Sequence, residues 1–267
     1  MRPVNLKKLN RKDEVASRHR RDFILKVVVI VLLTVAVVAG FIYLLFFSRM
    51  FDVREVSFNG LDTVNSDVFR GKIDEDLNQK ILAYLPRRNN IFFVNTRNLK
   101  TEFASAYPVF KSVNAQRKLL HGLVFDFLER KPAGIWCFGS TSLTMSCSYF
   151  DEEKVLWGQP AKSSGFIFLT IEDNRQIENR QIDDEFFKPI MEIVRNLAGE
   201  IKNITISENS FNEFRVYTTD YYIIYTTDSD IQNQLDALKI FLNDKSKDSN
   251  FHPQYIDLRI DGRVYYK

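Results

Sequence analysis

The sequence contains few of the residues that build metal and nucleophile sites. It has three histidines and two cysteines, which is little material for a zinc site with several protein ligands. It also contains no nucleophile elbow, zinc-protease helix, Walker loop or dinucleotide-binding fingerprint. We therefore expect no metal and no cofactor, and the common hydrolase and nucleotide-dependent enzyme classes are disfavoured.

The body of the chain lacks an excess of positive charge, although the whole chain has a net charge of +3. Residues 1–26 contain nine Lys or Arg and three Asp or Glu. Subtracting these from the totals of 37 and 34 leaves 28 basic and 31 acidic residues, a net charge of −3 for the rest. Binding to phosphate backbones needs concentrated positive charge on a folded surface. We therefore expect no nucleic-acid partner.

Only one stretch is long and apolar enough to cross a bilayer. Residues 27–47 read VVVIVLLTVAVVAGFIYLLFF and carry no charge. A helix of this length extends about 31 Å, close to the hydrocarbon thickness of a membrane. The alternative is a cleaved signal peptide, but its apolar region is usually about 7–15 residues long and ends in a small-x-small site. The longer run predicts an uncleaved transmembrane helix.

The charges on either side of this stretch predict its orientation. Nine basic residues precede it, and only Arg49 and Arg54 follow closely. Positively charged flanks remain in the cytoplasm. We therefore predict a basic cytoplasmic tail at residues 1–26 and a single-pass type II protein of the plasma (inner) membrane, with the bulk of the chain exoplasmic.

Residues 48–130 show the pattern of a small α+β domain. A β-rich run, FDVREVSF, ends at Asn59 and Gly60, and either Asn65 or Ser66 can cap the helix that follows. A second helical pattern starts after residue 95 and stops before Pro108, and two β-rich runs follow. The predicted order is strand, helix, helix, strand, strand. The first helix should contain Val68, Phe69, Ile73, Leu77 and Ile81.

Residues 131–267 predict a mostly antiparallel β domain with two helices. Short β-rich runs are separated by Gly, Asn, Asp and Ser. One helical pattern covers about residues 183–197, and the other begins after Ser229. The last segment, from Tyr255 onward, alternates apolar and charged residues, which is typical of a single strand with one buried face. The apolar positions are Ile256, Leu258, Ile260, Val264 and Tyr266.

Two further patterns have open interpretations. Cys137 and Cys147 flank a plausible hairpin loop, so they could form a disulfide outside the cytoplasm or remain as two buried thiols. The acidic runs at residues 151–153 and 183–185 could supply an acid/base pair to an enzyme. The first is also typical of a turn, and the second of a helix start, where negative charge is favourable.

The order of these parts resembles the FtsQ/DivIB family of bacterial cell-division proteins, which have a short cytoplasmic tail, one span, a POTRA domain and a β domain. FDVREVSFNGLDTVNSDVF is similar to the first POTRA strand and its helix, and NNIFFVNTRNL to the link into the second helix. FDEEKVLW resembles a family hairpin, and YIDLRIDGRVYYK the closing strand. The passage from residue 107 to 136 matches the family pattern at Pro108, Val109, Arg117, Glu129, Arg130, Pro132 and Trp136.

The sequence departs from this family pattern at a few positions. Gly134 stands where alanine is common, and Lys154 stands where the family hairpin usually has glycine. Residues 119–121 replace a turn that usually contains proline, and Ile260 stands where some members carry an aromatic residue. These departures concern local turn geometry and partner contacts.

The resemblance implies a scaffold that is not an enzyme. In the family, the POTRA domain is linked to recruitment by other divisome components. The end of the β domain binds the exoplasmic segments of FtsB and FtsL, which are small bitopic coiled-coil proteins. The resemblance therefore predicts a location at the division septum and a role in septum formation.

A final strand at the edge of a sheet agrees with this implication. Such a strand presents unpaired N–H and C=O groups to which a partner strand can add. The alternative is a solvated edge whose charges only prevent aggregation. Two other functions remain open: a membrane-anchored cell-wall-modifying enzyme, and a POTRA-containing membrane assembly protein, which would need a long C-terminal barrel. The candidate partner-binding residues are Tyr255, Arg259, Ile260, Asp261, Gly262, Arg263 and Tyr265.

Overall fold

The computed structural model describes residues 6–78, 89–118, 121–139, 145–161, 168–177, 179–197, 199–246, 248 and 250–267. The described chain is α+β, with five α-helices and twelve strands in two sheets. It divides into two compact units. The first comprises Met1–Phe103 with Ser112–Leu128, and the second comprises Ala104–Lys111 with Glu129–Lys267.

The first helix, α1, spans Leu6–Phe47 and is longer than the predicted transmembrane segment. Residues 6–26 contain no glycine or proline and are rich in lysine, arginine and leucine, so the helix continues back through the basic tail. Within α1, Arg20–Leu45 is long and apolar enough to cross a membrane, and none of its most apolar window is buried by the rest of the chain. This segment therefore does not serve as the core helix of a folded domain.

The first unit continues from α1 through a short 3₁₀ helix, Arg49–Phe51, into a three-stranded sheet. The element order of strand, helix, helix, strand, strand agrees with the prediction. Strand β1 pairs in parallel with β3, and β2 lies on the other side of β3. The elements are β1 (Glu55–Asn59), α2 (Ser66–Asn78), α3 (Thr96–Ala106), β2 (Phe110–Lys118) and β3 (Gly122–Glu129).

The helices α2 and α3 begin at asparagine side chains. Asn65 Oδ1 accepts a hydrogen bond from Asp67 N at 2.9 Å, and Asn95 Oδ1 accepts one from Asn98 N at 3.2 Å. Of the two predicted caps for α2, the structure therefore uses Asn65. Three of the predicted apolar residues of α2 are buried, whereas Val68 is 51% exposed and Ile81 lies outside the described residues. The buried residues are Phe69, Ile73 and Leu77.

Aromatic rings form the core between these helices and the sheet. Phe69 and Phe103 meet edge to face, with ring centroids 5.4 Å apart, and Phe103 meets Phe125 in the same way at 5.5 Å. Gly60, at the end of β1, has φ +73°, and a β-carbon there would collide with the carbonyl oxygen of Phe127. Glycine is therefore required where β1 turns against β3.

The residues that the structure describes in the second unit form nine strands and two helices. The helix α4 (Asp184–Asn196) is capped by Asp183, and α5 (Ile231–Lys245) is capped by Asp230. The strands are β4 (Gly134–Phe138), β5 (Ser146–Phe150), β6 (Leu156–Trp157), β7 (Thr170–Asp173), β8 (Asn203–Ile206), β9 (Glu213–Tyr217), β10 (Tyr222–Thr226), β11 (Tyr255–Asp257) and β12 (Tyr265–Tyr266).

These strands form one mixed sheet in the order β12-β11-β10-β9-β8-β7-β4-β5-β6. Five neighbouring pairs are antiparallel, and three pairs, β4 with β7, β7 with β8 and β10 with β11, are parallel. The prediction of a mostly antiparallel domain therefore missed its parallel part. The helices account for two of these pairs, because α4 connects β7 to β8 and α5 connects β10 to β11, whereas the chain passes from β4 to β7 through β5 and β6. A parallel pair needs such a crossover connection.

The core of the second unit lies between one face of this sheet and the two helices. Residues of seven strands share one buried cluster with Phe186 and Ile190 of α4 and Leu235 and Leu238 of α5. The strand β4, which lies between β7 and β5 in this sheet, is buried along its whole length. At Gly134, an added β-carbon would lie 2.6 Å from the Leu169 carbonyl oxygen and 2.8 Å from the Phe150 ring. This crowding explains why glycine, rather than the alanine of the family pattern, occupies that position.

Candidate functional site

The C-terminal segment is a hairpin rather than the single strand that the sequence predicted. Strand β11 ends at Asp257, and β12 returns antiparallel to it, with Ile256 opposite Tyr266. Between them, Arg263 N donates to Ile260 O at 3.1 Å, and Gly262 has φ +66°. A positive φ at the third position of this four-residue turn suits glycine. The turn moves Ile260 out of the alternating pattern and leaves it 53% exposed.

Strand β12 forms one open edge of the nine-stranded sheet. Lys267 N donates to Tyr255 O at 3.2 Å, so the backbone groups of Lys267 point inward to β11. Along an antiparallel strand, the backbone N–H and C=O groups of successive residues point alternately to one side and the other, so those of Tyr265 also point inward to β11. The N–H and C=O groups of Val264 and Tyr266 therefore point outward, where no strand of the described chain pairs with them.

An ion-pair cluster fixes the start of the hairpin turn. Arg259 Nη2 lies 2.7 Å from Asp257 Oδ2, and Arg259 Nη1 lies 2.6 Å from Glu213 Oε2 on β9. The hydrogen bonds with Asp257 and Glu213 raise the pKa of Arg259 above its ordinary value, and the one with Asp257 has the largest effect. Burial opposes ionisation of Asp257, but hydrogen bonds from Arg259 outweigh it and hold the pKa of Asp257 below its ordinary value. Arg259 is thus largely engaged within the molecule.

The other candidate residues divide into two places. Ile260, Asp261, Gly262 and Arg263 form the exposed tip of the hairpin. Beside this tip, Tyr265 is 46% exposed, and its hydroxyl oxygen accepts a hydrogen bond from Arg263 Nη1 at 3.4 Å. These five residues and Arg259 therefore lie together at one end of the hairpin.

Tyr255 lies apart from the tip, at the opposite end of β11. Its ring stacks on that of Tyr222 with centroids 5.7 Å apart, and Tyr222 in turn contacts Tyr217 at 5.4 Å. Tyr255 thus belongs to a row of rings that crosses three neighbouring strands. Its position supports the hairpin by packing, and it is not part of the tip.

The sequence patterns missed the aromatic support behind the edge strand. The Tyr266 ring lies 5.2 Å from the Phe241 ring of α5 and 5.6 Å from that of Phe251, and Lys245 Nζ lies 5.3 Å from the Tyr266 centroid. Tyr266 belonged to the alternating apolar pattern and Phe241 to the helical pattern that begins after Ser229, but nothing in the sequence indicated that the two residues are in contact. No sequence pattern indicated that Glu213 would be the second partner of Arg259.

Residues of the two acidic runs make contacts within the second unit. Asp151 Oδ1 accepts from the backbone N–H groups of Glu153 and Val155, at 2.9 and 3.0 Å, and Asp151 Oδ2 lies 2.5 Å from Arg130 Nη1. In the other run, Asp183 Oδ1 accepts from Phe186 N at 3.1 Å and caps α4. Among the described residues, no group of three or more His, Cys, Asp or Glu is placed to hold a metal ion.

The two cysteines form a disulfide. Cys137 on β4 and Cys147 on β5 lie directly opposite each other in the antiparallel register, and their sulfur atoms are bonded. Cys137 is buried. The bond joins the two strands next to a hairpin loop and therefore supports the sheet.

No family model matches this chain, and no curated protein matches it either. The resemblance to the FtsQ/DivIB family therefore rests on the sequence motifs given above.

Proposed function

We propose that this protein is a non-enzymatic, membrane-anchored scaffold of bacterial cell division that binds another polypeptide along the edge strand β12. The resemblance to the FtsQ/DivIB family supplies the cellular context. The apolar segment Arg20–Leu45 supplies the anchor. The protein would be a single-pass type II membrane protein at the division septum.

The observation that carries this proposal is the open edge at β12. The outward backbone groups of Val264 and Tyr266 can pair with an added strand, and the main-chain hydrogen bonds would provide affinity. The edge needs no large rearrangement to accept a strand, because the Arg259 cluster and the aromatic contacts of Tyr266 already hold the hairpin in place.

The side chains at the tip would select the partner. Ile260 and Tyr265 offer exposed apolar surface, and Arg263 offers a planar cation suited to a carboxylate. By the family resemblance, the partners would be small bitopic coiled-coil division proteins of the FtsB and FtsL kind, together with other divisome components.

Two proline variants test the role of the edge backbone. Val264→Pro removes an outward N–H group that β11 does not use, so we expect the hairpin to remain folded while strand addition is lost. Asp261→Pro places proline at the second position of the turn. Gly262, at the third position, has a positive φ and Asp261 does not, which is typical of a type II turn. Proline is favoured at the second position of such a turn. The measurement is co-purification of the full-length chain with the cell's small bitopic coiled-coil proteins.

We expect Val264→Pro to lose these partners and Asp261→Pro to retain them. Unchanged co-purification by a folded Val264→Pro variant would contradict the edge-strand proposal. Loss in both variants would assign binding to the side chains of the tip rather than to the backbone of the edge. The near-ultraviolet circular dichroism of each variant reports whether the fold is retained.

Depletion and localisation test the role in division. A division scaffold should give filaments without septa when depleted, and a tagged chain should lie at midcell. Rescue of division by Glu152→Ala tests whether this carboxylate is catalytic, because the side chain is 74% exposed and, among the described residues, contacts Arg195 at 3.4 Å. Failure of Glu152→Ala together with full rescue by Val264→Pro would favour an enzyme.

A further inference from the structure

We propose that the first unit binds the surface of the lipid bilayer through Met50 and Phe92, next to the end of the membrane-spanning helix. This inference rests on the proposed membrane anchoring and adds a lipid-contact surface on the folded part of the chain. The contact surface consists of the 3₁₀ helix Arg49–Phe51 and the loop at residues 89–94.

A buried asparagine connects this loop to the helix α1. Asn90 is 2% exposed, and its Nδ2 donates to the carbonyl oxygen of Leu45 at 2.9 Å. The last carbonyl groups of a helix have no partner within the helix, so Asn90 supplies one. On its other side, Asn90 Oδ1 accepts from Phe92 N at 3.0 Å. One side chain therefore links the end of the apolar segment to the backbone of Phe92.

Backbone hydrogen bonds reinforce this connection. Ile91 N donates to Phe51 O, and Val53 N donates to Asn89 O, each at 2.8 Å. Asp52 and Asn90 also form an isolated antiparallel bridge. The loop is thereby attached along its length to the segment that leaves the helix.

The attachment places Phe92 at the depth of the lipid headgroups when α1 spans a bilayer. Leu45 is the last residue of the candidate span Arg20–Leu45 and lies two residues before the end of α1, and Asn90 Nδ2 bonds to its carbonyl oxygen. The two residues from Asn90 to Phe92 extend at most about 7 Å. The headgroup region on each side of a bilayer is about 5–8 Å thick. Phe92 therefore lies within reach of this region.

The side chains at this place suit an apolar interface. Phe92 and Met50 are each 52% exposed, and the rings of Phe51 and Phe92 lie 5.1 Å apart. Aromatic and apolar side chains are favourable at the boundary between headgroups and acyl chains. Ile91, which lies between Asn90 and Phe92 in the sequence, is buried within the unit. The loop therefore buries the side chain of Ile91 and exposes that of Phe92.

The charged residues near this surface are of both signs. Arg49 and Arg54 are accompanied by Asp52 and Glu55, residues 89–94 carry no charge, and Arg87 and Arg88 precede that loop in the sequence. Because Met50 and Phe92 are uncharged, we expect binding to occur on neutral lipid and not to require anionic lipid.

A nitroxide label measures the depth of this surface. The two natural cysteines are bonded to each other, so an engineered cysteine in the full-length chain can be labelled selectively. The variants are Phe92→Cys and Met50→Cys, reconstituted separately in vesicles of phosphatidylcholine. Val38→Cys, 51% exposed within the span, is the lipid reference, and Val68→Cys, 51% exposed on α2, is the matched reference outside the surface.

The measured quantity is the accessibility of the label to oxygen divided by its accessibility to a water-soluble nickel complex. We expect this ratio to be several-fold higher at positions 92 and 50 than at 68, and highest at 38. Equal ratios at 92, 50 and 68, with a lipid value at 38, would overturn the contact surface but leave the anchor intact. An aqueous value at 38 would overturn the anchor and this inference together.

Anionic lipid separates apolar contact from charge attraction. We expect the same ratio at position 92 when phosphatidylglycerol replaces part of the phosphatidylcholine. A ratio that rises above that of position 68 only with phosphatidylglycerol would overturn the apolar contact.

Discussion

At the residue scale, Arg130 makes more contacts with other parts of the second unit than its position after a strand suggests. Its Nη1 lies 2.5 Å from Asp151 and 2.9 Å from Glu153, and its Nε donates to Pro108 O at 3.0 Å. The backbone N of Arg130 also donates to Val109 O at 2.8 Å. These bonds explain why the segment Ala104–Lys111 belongs to the second unit, although the predicted domain boundary lay at residue 130.

We expect Arg130→Ala to destabilise the second unit by about 3 kcal/mol, because the Asp151 carboxylate would remain nearly buried without its cation. Arg195→Ala is the control, since Arg195 is 62% exposed and its contact with Glu152 is long. That control should change stability by less than about 0.5 kcal/mol. Urea denaturation of the two variants provides the comparison, and equal midpoints would contradict the role of Arg130.

Lys154 occupies a backbone conformation that favours glycine. Its φ is +63°, in the turn after Asp151, and the family pattern has glycine at this position. A left-handed conformation costs a residue with a β-carbon about 1 kcal/mol. The strain persists alongside an ion pair of Lys154 Nζ with Asp184 at 2.6 Å.

We expect Lys154→Gly to be more stable than Lys154→Ala by about 1 kcal/mol. Both variants lose the ion pair with Asp184, so the difference between their free energies of unfolding reports the backbone conformation at position 154. Thermal unfolding of the two proteins measures it. A lower unfolding temperature for the glycine variant would show that the turn is not strained at this residue.

At the scale of elements, the second unit is built from two strand–helix–strand crossovers and a disulfide-linked hairpin. The crossovers through α4 and α5 bring β7 beside β8 and β10 beside β11. The hairpin of β4 and β5 carries the bond between Cys137 and Cys147, which closes a loop with a sequence separation of 10. Cross-linking limits the freedom of the unfolded chain.

We expect reduction of this disulfide to lower the stability of the second unit by about 3 kcal/mol, the value for closing a loop of this length. The midpoint of urea denaturation with and without dithiothreitol measures the effect. A double variant, Cys137→Ala with Cys147→Ala, should show no response to the reductant. A response in that variant would show that the reductant acts elsewhere.

At the scale of the whole molecule, the proposed topology has a clear test. The nine basic residues before the apolar segment predict that the N-terminus remains in the cytoplasm. Protease added to the outer face of spheroplasts should therefore degrade the two units and spare an N-terminal tag.

A variant whose basic residues follow the apolar run, rather than precede it, provides the matched comparison for the topology. Replacing the basic residues of the tail by glutamine and adding lysines after residue 48 should increase the fraction of inverted chains. Protection of the two units in the natural protein would contradict the proposed orientation and, with it, an exoplasmic scaffold.

Several features of this protein followed from local sequence. A run of 21 uncharged residues is enough to indicate a helix that can cross a bilayer, because length and hydrophobicity need no partner. Asparagine caps and the spacing of Phe69, Ile73 and Leu77 located α2 because they act within a few residues. The element order of the first unit and both helices of the second were predicted on the same basis.

Tertiary structure decided the features that depend on distant residues. The parallel pairs, the contact of Arg259 with Glu213, and the contact of Asn90 with Leu45 each join parts of the chain that lie far apart in sequence. The alternation from Tyr255 to Tyr266 indicated one strand, but the turn at Gly262 divided it and formed the open edge. Alternation records which residues are apolar, whereas the neighbouring strands determine where a strand ends and which edge stays free.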